Sequence, residues 1–380
     1  MKKVLLGLSG GVDSAVAAYL LKQQGYDVTC CFMRNWDALA NLDIKGNPTI
    51  KDEVCPQELD YQDAVDVAKA LDLPIVRVDF IKEYWDYVFI EFIEEFKKGR
   101  TPNPDILCNK YIKFDAFYDY AKANNFDYVA TGHYAKIVEH NGTFMMEKAA
   151  DLNKDQTYFL SQVNKEVLKE TLFPLGSYNK EEVRNLALEM ELSIAKKKDS
   201  TGICFIGERN FKEFLKNYIP AKTGKIIDIT SKKILGSHDG VLYYTIGQRK
   251  GLGIGGSLGP WFVVGKDVNK NELYVSNIDD TYWLASDSCL VSDLNWFKHI
   301  EDGFKCNAKF RYRQKDNPVT LYKQGDNILV KFDSLINAIT PGQQAVFYDG
   351  DLVVGGGVID EAYNESKSLK VRLDEALNGK

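Results

Sequence analysis

The sequence predicts an α/β protein whose first half builds a parallel sheet and whose remainder is all β. Three observations carry this. Strand and helix patterns alternate over residues 4–131, which implies parallel strands joined by right-handed crossovers. A glycine-rich turn, SGGVDS at residues 9–14, stands between the first strand and the first helix. Beyond about residue 220 the helical period gives way to short strands separated by turns.

The opening apolar run VLLGL (4–8) reads as a strand and residues 14–24 as a helix, closed by Gly25 at the position just past its end. Residues 27–36 (DVTCCFMRNW) form a second strand, with Cys30 and Cys31 as core or face residues. Residues 37–56 are polar, contain Gly46-Asn47-Pro48 and read as a long loop without an assigned role. A helix over 57–71, a strand over 74–80 (PIVRVDF) and a helix over 82–98 follow. Trp85, Val88, Phe89, Phe92 and Phe96 recur at helical spacing and mark a core face. Residues 110–124 are helical, and DYVAT (127–131) is a fourth strand running into Gly132-His133. Open parallel sheets bind ligands beyond the carboxyl ends of their strands. The glycine turn, Met33 to Trp36 and Gly132-His133 therefore converge on one crevice.

Past that point residues 135–148 read as a hairpin around Asn141-Gly142. Residues 165–171 and 180–190 read as helices, and FKEFLKNYI as a short helix ending at Pro220. GKIIDI, VLYYTIGQ, PWFVVGKDV, NELYVSN, KCNAKFRYR, NILVKF and QAVFYDGDLVVGGGVI supply the strands of the β tail. Boundaries near 208 and 282 divide the chain into 1–208, 209–282 and 283–380.

Composition narrows the function. The 380 residues suffice for two or three domains, and 45% hydrophobic with 27% charged residues is ordinary for a globular protein. No apolar run approaches the roughly 18 residues that cross a membrane. Lys2-Lys3 before VLLGL has the look of an export signal, but the run is too short and glycine occupies the place of a cleavage site, so a cytoplasmic location is expected. Seven cysteines in a chain this long are too sparse for a disulfide scaffold, and none falls at zinc-site spacing. The net charge is −6, yet residues 196–250 hold twelve Lys/Arg against five Asp/Glu. Residues 305–315 hold five basic residues and no acidic one, interleaved with Phe310 and Tyr312. Such stripes suit a polyanion even on an acidic protein.

The glycine turn is an anion site by construction. Its glycines let successive N–H groups face one concavity at a helix N-terminus, where the helix dipole adds positive charge. Ser9 and Ser14 add hydroxyls, and Asp13 is placed to hold a magnesium ion against phosphate oxygens. The Walker loop is excluded because no Lys stands at its place, and the dinucleotide fingerprint is absent. Two cysteines stand out. Cys108 follows the rigid turn of Pro102 and Pro104 and is expected at the start of the next helix, where the dipole, Lys110 and Lys113 would favour its thiolate. Cys204 follows three lysines and is flanked by Gly202 and Gly207, an electropositive segment suited to a reactive thiolate.

SGGVDS resembles the loop of the PP-loop ATP pyrophosphatases, which adenylate an oxygen of their substrate. The strings FMRNW, GRTPNPDILCNK, ATGHY, NKDQTYFL, AKKKDSTGICFIGERNF, GQRKGLGIGG, FRYRQ and TPGQQAVFY extend the likeness. With them the chain resembles the bacterial tRNA-specific 2-thiouridylases from residue 7 to about 357. That resemblance implies a Rossmann-like PP-loop domain, a small β-rich central domain and a C-terminal β-barrel. It implies ATP-dependent 2-thiolation of the wobble uridine in tRNAs for Lys, Glu and Gln, with magnesium accompanying ATP and no structural metal. Gly7, Leu8, Ser9, Gly10, Gly11, Val12, Asp13, Ser14, Met33 and Gly132 would contact ATP. Asn103, Pro104 and Asp105 would meet the target base. Cys108 would be the nucleophile that frees the sulfur, Cys204 would carry the persulfide, and the two would end as a disulfide. His133, Lys154, Asp155, Gln156, Arg311, Tyr312 and Gln343 would contact tRNA. A cysteine desulfurase or a sulfur-relay protein would supply the sulfur, and no membrane partner is implied. Ala15 departs from many members, which carry a second serine there. Gly251 to Gly259 lies among strands and reads as a mobile loop facing tRNA. The competing readings are a PP-loop ligase acting on a small molecule and a non-catalytic RNA-binding protein.

Overall fold

A computed structural model describes residues 1–52, 54–140, 142–199, 202–255, 259–277 and 280–378 of the chain. Asn141 of the hairpin turn, Ser200 and Thr201 ahead of Cys204, and residues 256–258 of the glycine-rich loop therefore lie outside the described residues.

The first half forms β1 (Lys3–Gly7), β2 (Asp27–Arg34), β3 (Ile75–Asp79), β4 (Tyr128–Ala130), the hairpin β5 (Lys136–His140) and β6 (Thr143–Glu147), and β7 (Thr171–Leu172). Five of these build a sheet in the order β3-β2-β1-β4-β7, with every pairing parallel. Helices cover both faces, so β1 is a continuous apolar run. Alternate residues point to opposite faces. Val4 and Leu6 pack with α1 (Val12–Gln23), α2 (Pro56–Ala70) and the helix Lys180–Glu189. Leu5 packs on the other face with Phe92, Phe96, Ile112 and Phe117. The chain leaves β1 for β2 on one side, while β4 lies on the other. This reversal opens the crevice at the strand ends.

Three helical stretches differ from expectation. The expected helix over 82–98 is Ile81–Tyr84, a π turn over Trp85–Phe89, and Ile90–Lys97. The helix expected from 110 begins at Pro104, because the Asn103 side chain accepts from the Asp105 N–H at 3.1 Å and so caps it. It continues through a π turn, Asn109–Ala116, to Phe117–Ala123. Residues 165–171 are not one helix: a 3₁₀ turn over Lys165–Glu170 leads into β7, which extends the sheet by a short strand.

The longer strands that follow are β8 (Gly224–Asp228), β9 (Ile234–His238), β10 (Trp261–Asp267), β11 (Glu272–Asn277), β12 (Ala285–Trp296), β13 (Phe304–Lys309), β14 (Asn317–Gln324), β15 (Asn327–Asn337), β16 (Gln344–Asp349) and β17 (Leu352–Asn364). A four-stranded central sheet runs β10-β11-β8-β9. VLYYTIGQ contributes no strand to it; residues Val241–Tyr243 form a 3₁₀ turn whose Val241 and Tyr243 are buried. The last six strands run β12-β15-β14-β13-β16-β17, and pairing of β12 with β17 closes them into a barrel. The β5–β6 hairpin leaves the parallel-sheet half and joins the barrel wall where Leu352 pairs with Glu147. Among the described residues no helix is long and apolar enough to cross a membrane.

Candidate active site

The glycine loop closes on itself through serine. The Ser9 N–H donates to Ser14 Oγ at 3.2 Å, the two hydroxyls lie 3.2 Å apart, and Ser14 Oγ donates to the Gly11 carbonyl at 3.1 Å. Gly10 takes φ +74°, and a Cβ there would lie 2.2 Å from the Asp60 carbonyl oxygen. Gly132 approaches from β4 so closely that a Cβ would lie 2.9 Å from Ser14 N. Met33 reaches Gly7 from β2, its Cε 2.9 Å from where a Cβ would stand. The three strand ends that the sequence brings to one crevice do meet there.

Two lysines frame the loop, and neither was singled out in the sequence as a site residue. Lys197 donates to the Gly10 carbonyl at 3.1 Å and to Asp60 and Asp63 at 2.7 and 2.6 Å. Lys180 donates to Asp13 Oδ1 at 2.7 Å, and the Tyr134 hydroxyl donates to the same oxygen at 2.8 Å. Lys197 sits in a visible lysine run, but no local signal marks Lys180. Asp13 is thus engaged by a lysine and a tyrosine. Among the described residues no group of three His, Cys, Asp or Glu side chains could hold a metal ion. The side chains alone do not build a magnesium site; an ion here would take its ligands mainly from phosphate oxygens and water. Asp199 joins the same network. Burial pushes its carboxyl up, but hydrogen bonds from Lys154 and Lys180 outweigh this and bring it down to about 2.

The thiols of Cys108 and Cys204 lie 3.7 Å apart although 96 residues separate them. Three contacts hold the Cys204 segment down. The Asp105 carboxylate accepts from the Cys204 N–H at 3.0 Å, the Tyr84 hydroxyl donates to the Cys204 carbonyl at 2.8 Å, and Gln57 donates to the Phe205 carbonyl at 2.9 Å. The backbone must bend sharply here: Gly202 takes φ +99°, and a Cβ on it would meet the Gly207 carbonyl at 2.2 Å. Cys108 is not at the helix start as expected. It is the fifth residue of a helix that begins at Pro104, and it is fully buried. Burial, then its bond to Cys204, pushes its thiol well above the ordinary range. Cys204 is half-buried, and the bond from Cys108 together with the Lys113 ammonium outweighs burial and favours its thiolate. The electropositive character assigned to both cysteines therefore settles on Cys204.

The residues expected to touch tRNA are dispersed, and several are enclosed. The His133 ring is buried, with Nδ1 2.7 Å from Thr131 Oγ1 and Nε2 3.4 Å from Lys113 Nζ. Burial and that ammonium keep it well below the ordinary histidine value, hence neutral. The buried Asp155 accepts from Ala149 N–H and the Thr157 hydroxyl. Both face inward here, so neither offers a phosphate or base a free polar edge. Gln156 accepts from the Tyr134 N–H at 2.9 Å, and Lys154 pairs with Asp199 at 2.7 Å. In the barrel, Arg311 donates to the Ile246 and Ala338 carbonyls, joining the barrel to the loop ahead of β10. Tyr312 packs on Phe159 with ring centroids 4.4 Å apart. Gln343 donates to the Thr101 carbonyl at 2.7 Å, two residues before Asn103.

A parallel sheet with a glycine loop between its first strand and helix, a crevice at the strand ends and a β-barrel behind it defines an α/β nucleotide-binding protein of the HUP type. The family model described as "tRNA methyl transferase HUP domain" matches residues 2–208. Those described as "tRNA methyl transferase PRC-barrel domain" and "Aminomethyltransferase beta-barrel domain" match 212–277 and 286–359. The curated "tRNA-specific 2-thiouridylase MnmA" of Mycoplasma capricolum is 59% identical over 95% of this chain and 99% of its own length. Its namesake in Mycoplasma mycoides is also 59% identical over the same shares, and that of Staphylococcus carnosus is 52% identical over 97% of each chain. The chain belongs to the tRNA-specific 2-thiouridylase family.

Proposed function

We propose that this chain exchanges the C2 oxygen of the tRNA wobble uridine for sulfur at the expense of ATP, in tRNAs for Lys, Glu and Gln. One observation carries the reading: a single short segment touches both halves of the chemistry. Lys197 contacts the carbonyl of Gly10 in the glycine loop, and Cys204 contacts Cys108. Seven residues of extended chain span at most ~25 Å, so the phosphate cradle and the thiol pair lie within that distance on one side of the sheet's strand ends.

The uridine O2 attacks the α-phosphorus of ATP held by Gly7 to Ser14, Met33 and Gly132, and pyrophosphate leaves. A magnesium ion brought in with ATP would shield the phosphate charge, with Asp13 at the loop as the side chain placed beside it. Cys204 carries the outer sulfur as a persulfide received from a donor protein. The Cys108 thiolate attacks the inner sulfur, forming the Cys108–Cys204 disulfide and releasing hydrosulfide. Hydrosulfide attacks C2, AMP leaves, and an external thiol reduces the disulfide. Asn103, Pro104 and Asp105 cap the helix that carries Cys108, which suits a clamp on a flipped base. Lys154, Gln156, Arg311, Tyr312 and Gln343 are the tRNA contacts in this reading. His133 and Asp155, both buried, support those surfaces from beneath. The catalytic domain is 1–208, the central domain 209–282 and the barrel 283–380, working in the cytoplasm.

Reconstitution tests this directly: chain, ATP, magnesium, a sulfide or persulfide source and unmodified tRNA, with nucleoside mass spectrometry as readout. 2-Thiouridine is expected, together with AMP, and its loss in Cys108→Ser and in Cys204→Ser. A product that carries an added methyl group, or full thiolation by both variants, would overturn the reading.

A further inference from the structure

We propose that Lys113 is the positioning residue of the thiol pair: set between Cys204 and the His133 ring, its ammonium holds the sulfur on Cys204 as an anion and leaves the proton on Cys108. The inference rests on the reading of Cys204 as the sulfur carrier.

The backbone provides the first argument. At 3.6 residues per turn, residues five apart on an α-helix point roughly 140° away from each other. Cys108 and Lys113 are five apart, yet both side chains meet Cys204. The π turn over Asn109–Ala116 makes this possible, because its wider winding brings residues five apart to one side. Phe114 sits at φ −116°, ψ 19°, a non-helical conformation that kinks the turn. Restoring the α path would point Lys113 away from the sulfurs.

The second argument is charge. Among the described residues Lys113 forms no salt bridge with a carboxylate; its polar neighbours are Cys204 and, at 3.4 Å, His133 Nε2. The groups that face it are Cys108 and Asp105 on its own helix, Cys204 on the 202–207 turn and His133 beyond β4. Asp105 Oδ1 accepts from the Cys204 N–H, and its carboxyl acts on the ammonium through space without a direct ion pair. His133 is oriented by Thr131, with Nδ1 at 2.7 Å, so its Nε2 lone pair accepts from the ammonium and it brings no charge of its own. A half-buried ammonium with no carboxylate partner needs an anion, and the Cys204 sulfur is the group within hydrogen-bond reach that can become one. The Phe205 ring lies 5.7 Å from the ammonium on the same turn. The anionic sulfur is the better acceptor of a second sulfur from a donor. The neutral Cys108 thiol stays out of that step until it must attack.

The test is a pH profile of Cys204 alkylation by iodoacetamide, without ATP or tRNA, so that its outcome is independent of whether the chain thiolates uridine. It is run in a Cys108→Ser background, which keeps an O–H donor beside Cys204. Lys113→Met should move the profile to higher pH, and alkylation near neutrality should slow about tenfold for every pH unit that its midpoint rises. Lys113→Arg, which keeps the charge, should restore the rate to within about threefold of Lys113. An unchanged profile in a folded Lys113→Met chain overturns the proposal. Should Lys113→Met fail to fold, thiolate absorbance near neutral pH decides on the chain with Lys113 in place. The band should vanish in Cys204→Ser and persist in Cys108→Ser; the reverse pattern overturns the proposal.

Discussion

Replacing Gly132 with alanine tests how tightly β4 presses on the nucleotide loop. Gly132 does not take a left-handed φ, so alanine carries no backbone strain there, and the loss of a flexible glycine from the unfolded chain favours the fold by about 0.4–1 kcal/mol. The new Cβ would stand 2.9 Å from Ser14 N, 3.0 Å from the Asp13 carbonyl carbon and 3.1 Å from Ser14 Cα, all backbone atoms. An ordinary contact begins near 3.4 Å, so the loop must retreat by about 0.5 Å. The serine bonds that close the loop are already 3.2 Å long, and that retreat takes them beyond hydrogen-bond range. Two such bonds are worth about 0.5–1.5 kcal/mol each. Their loss falls on the cradle that faces the phosphates. Gly132→Ala should therefore raise the Kd for ATP by about tenfold and, because the lost bonds outweigh the gain from the unfolded chain, lower Tm by a few degrees. Calorimetric titration with a non-hydrolysable ATP analogue, beside a thermal melt, reads both. An unchanged Kd in a folded variant would refute the claim that Gly132 presses on the loop.

Three further outcomes are expected. Arg209→Met should destabilise the chain by about 3–5 kcal/mol in a denaturant titration, because it leaves Asp43 buried without its ion pair. The two side chains are 8% and 0% exposed, Asp43 also accepts from the Trp36 indole, and the pair ties the 37–56 loop to the segment that follows Cys204. Stability should fall as pH drops below 6.5, because the buried His133 resists a proton that the unfolded chain accepts. The slope from this one group is at most about 1.4 kcal/mol per pH unit, and His133→Asn should remove it. Binding to tRNA should weaken steeply with salt, by about 0.7–0.9 in log K per phosphate contact for each tenfold increase; a binding constant insensitive to salt would count against the basic stripes.

What the sequence made legible follows from how local each signal is. The glycine turn, its flanking strand and the helix behind it are read within eleven residues, and neighbouring side chains enforce them. β1 was visible because a strand buried on both faces has no polar alternation to confuse it. β12 was not, since ASDSCLVSDLNW looks like a loop. It is a strand because both its edges are taken, by β15 and by β17, a closure that no single segment reveals. β14 hides behind a proline at its second residue, tolerated where the strand begins.

The active site divides in the same way. Cys108 and Cys204 could be singled out by their surroundings in the chain, but their 3.7 Å separation depends on Tyr84, Asp105 and Gln57 pinning a distant turn. The charge on the pair was misplaced for a physical reason. A proline pair suggests a helix starting near Cys108, whereas the Asn103 cap starts it at Pro104 and sinks Cys108 into the core. The same helix then winds wide for two turns, and only that change of pitch turns Lys113 toward Cys204. Residue spacing assumes a pitch; where the pitch itself changes, the chemistry moves to side chains that a 3.6-residue reading places on the wrong face.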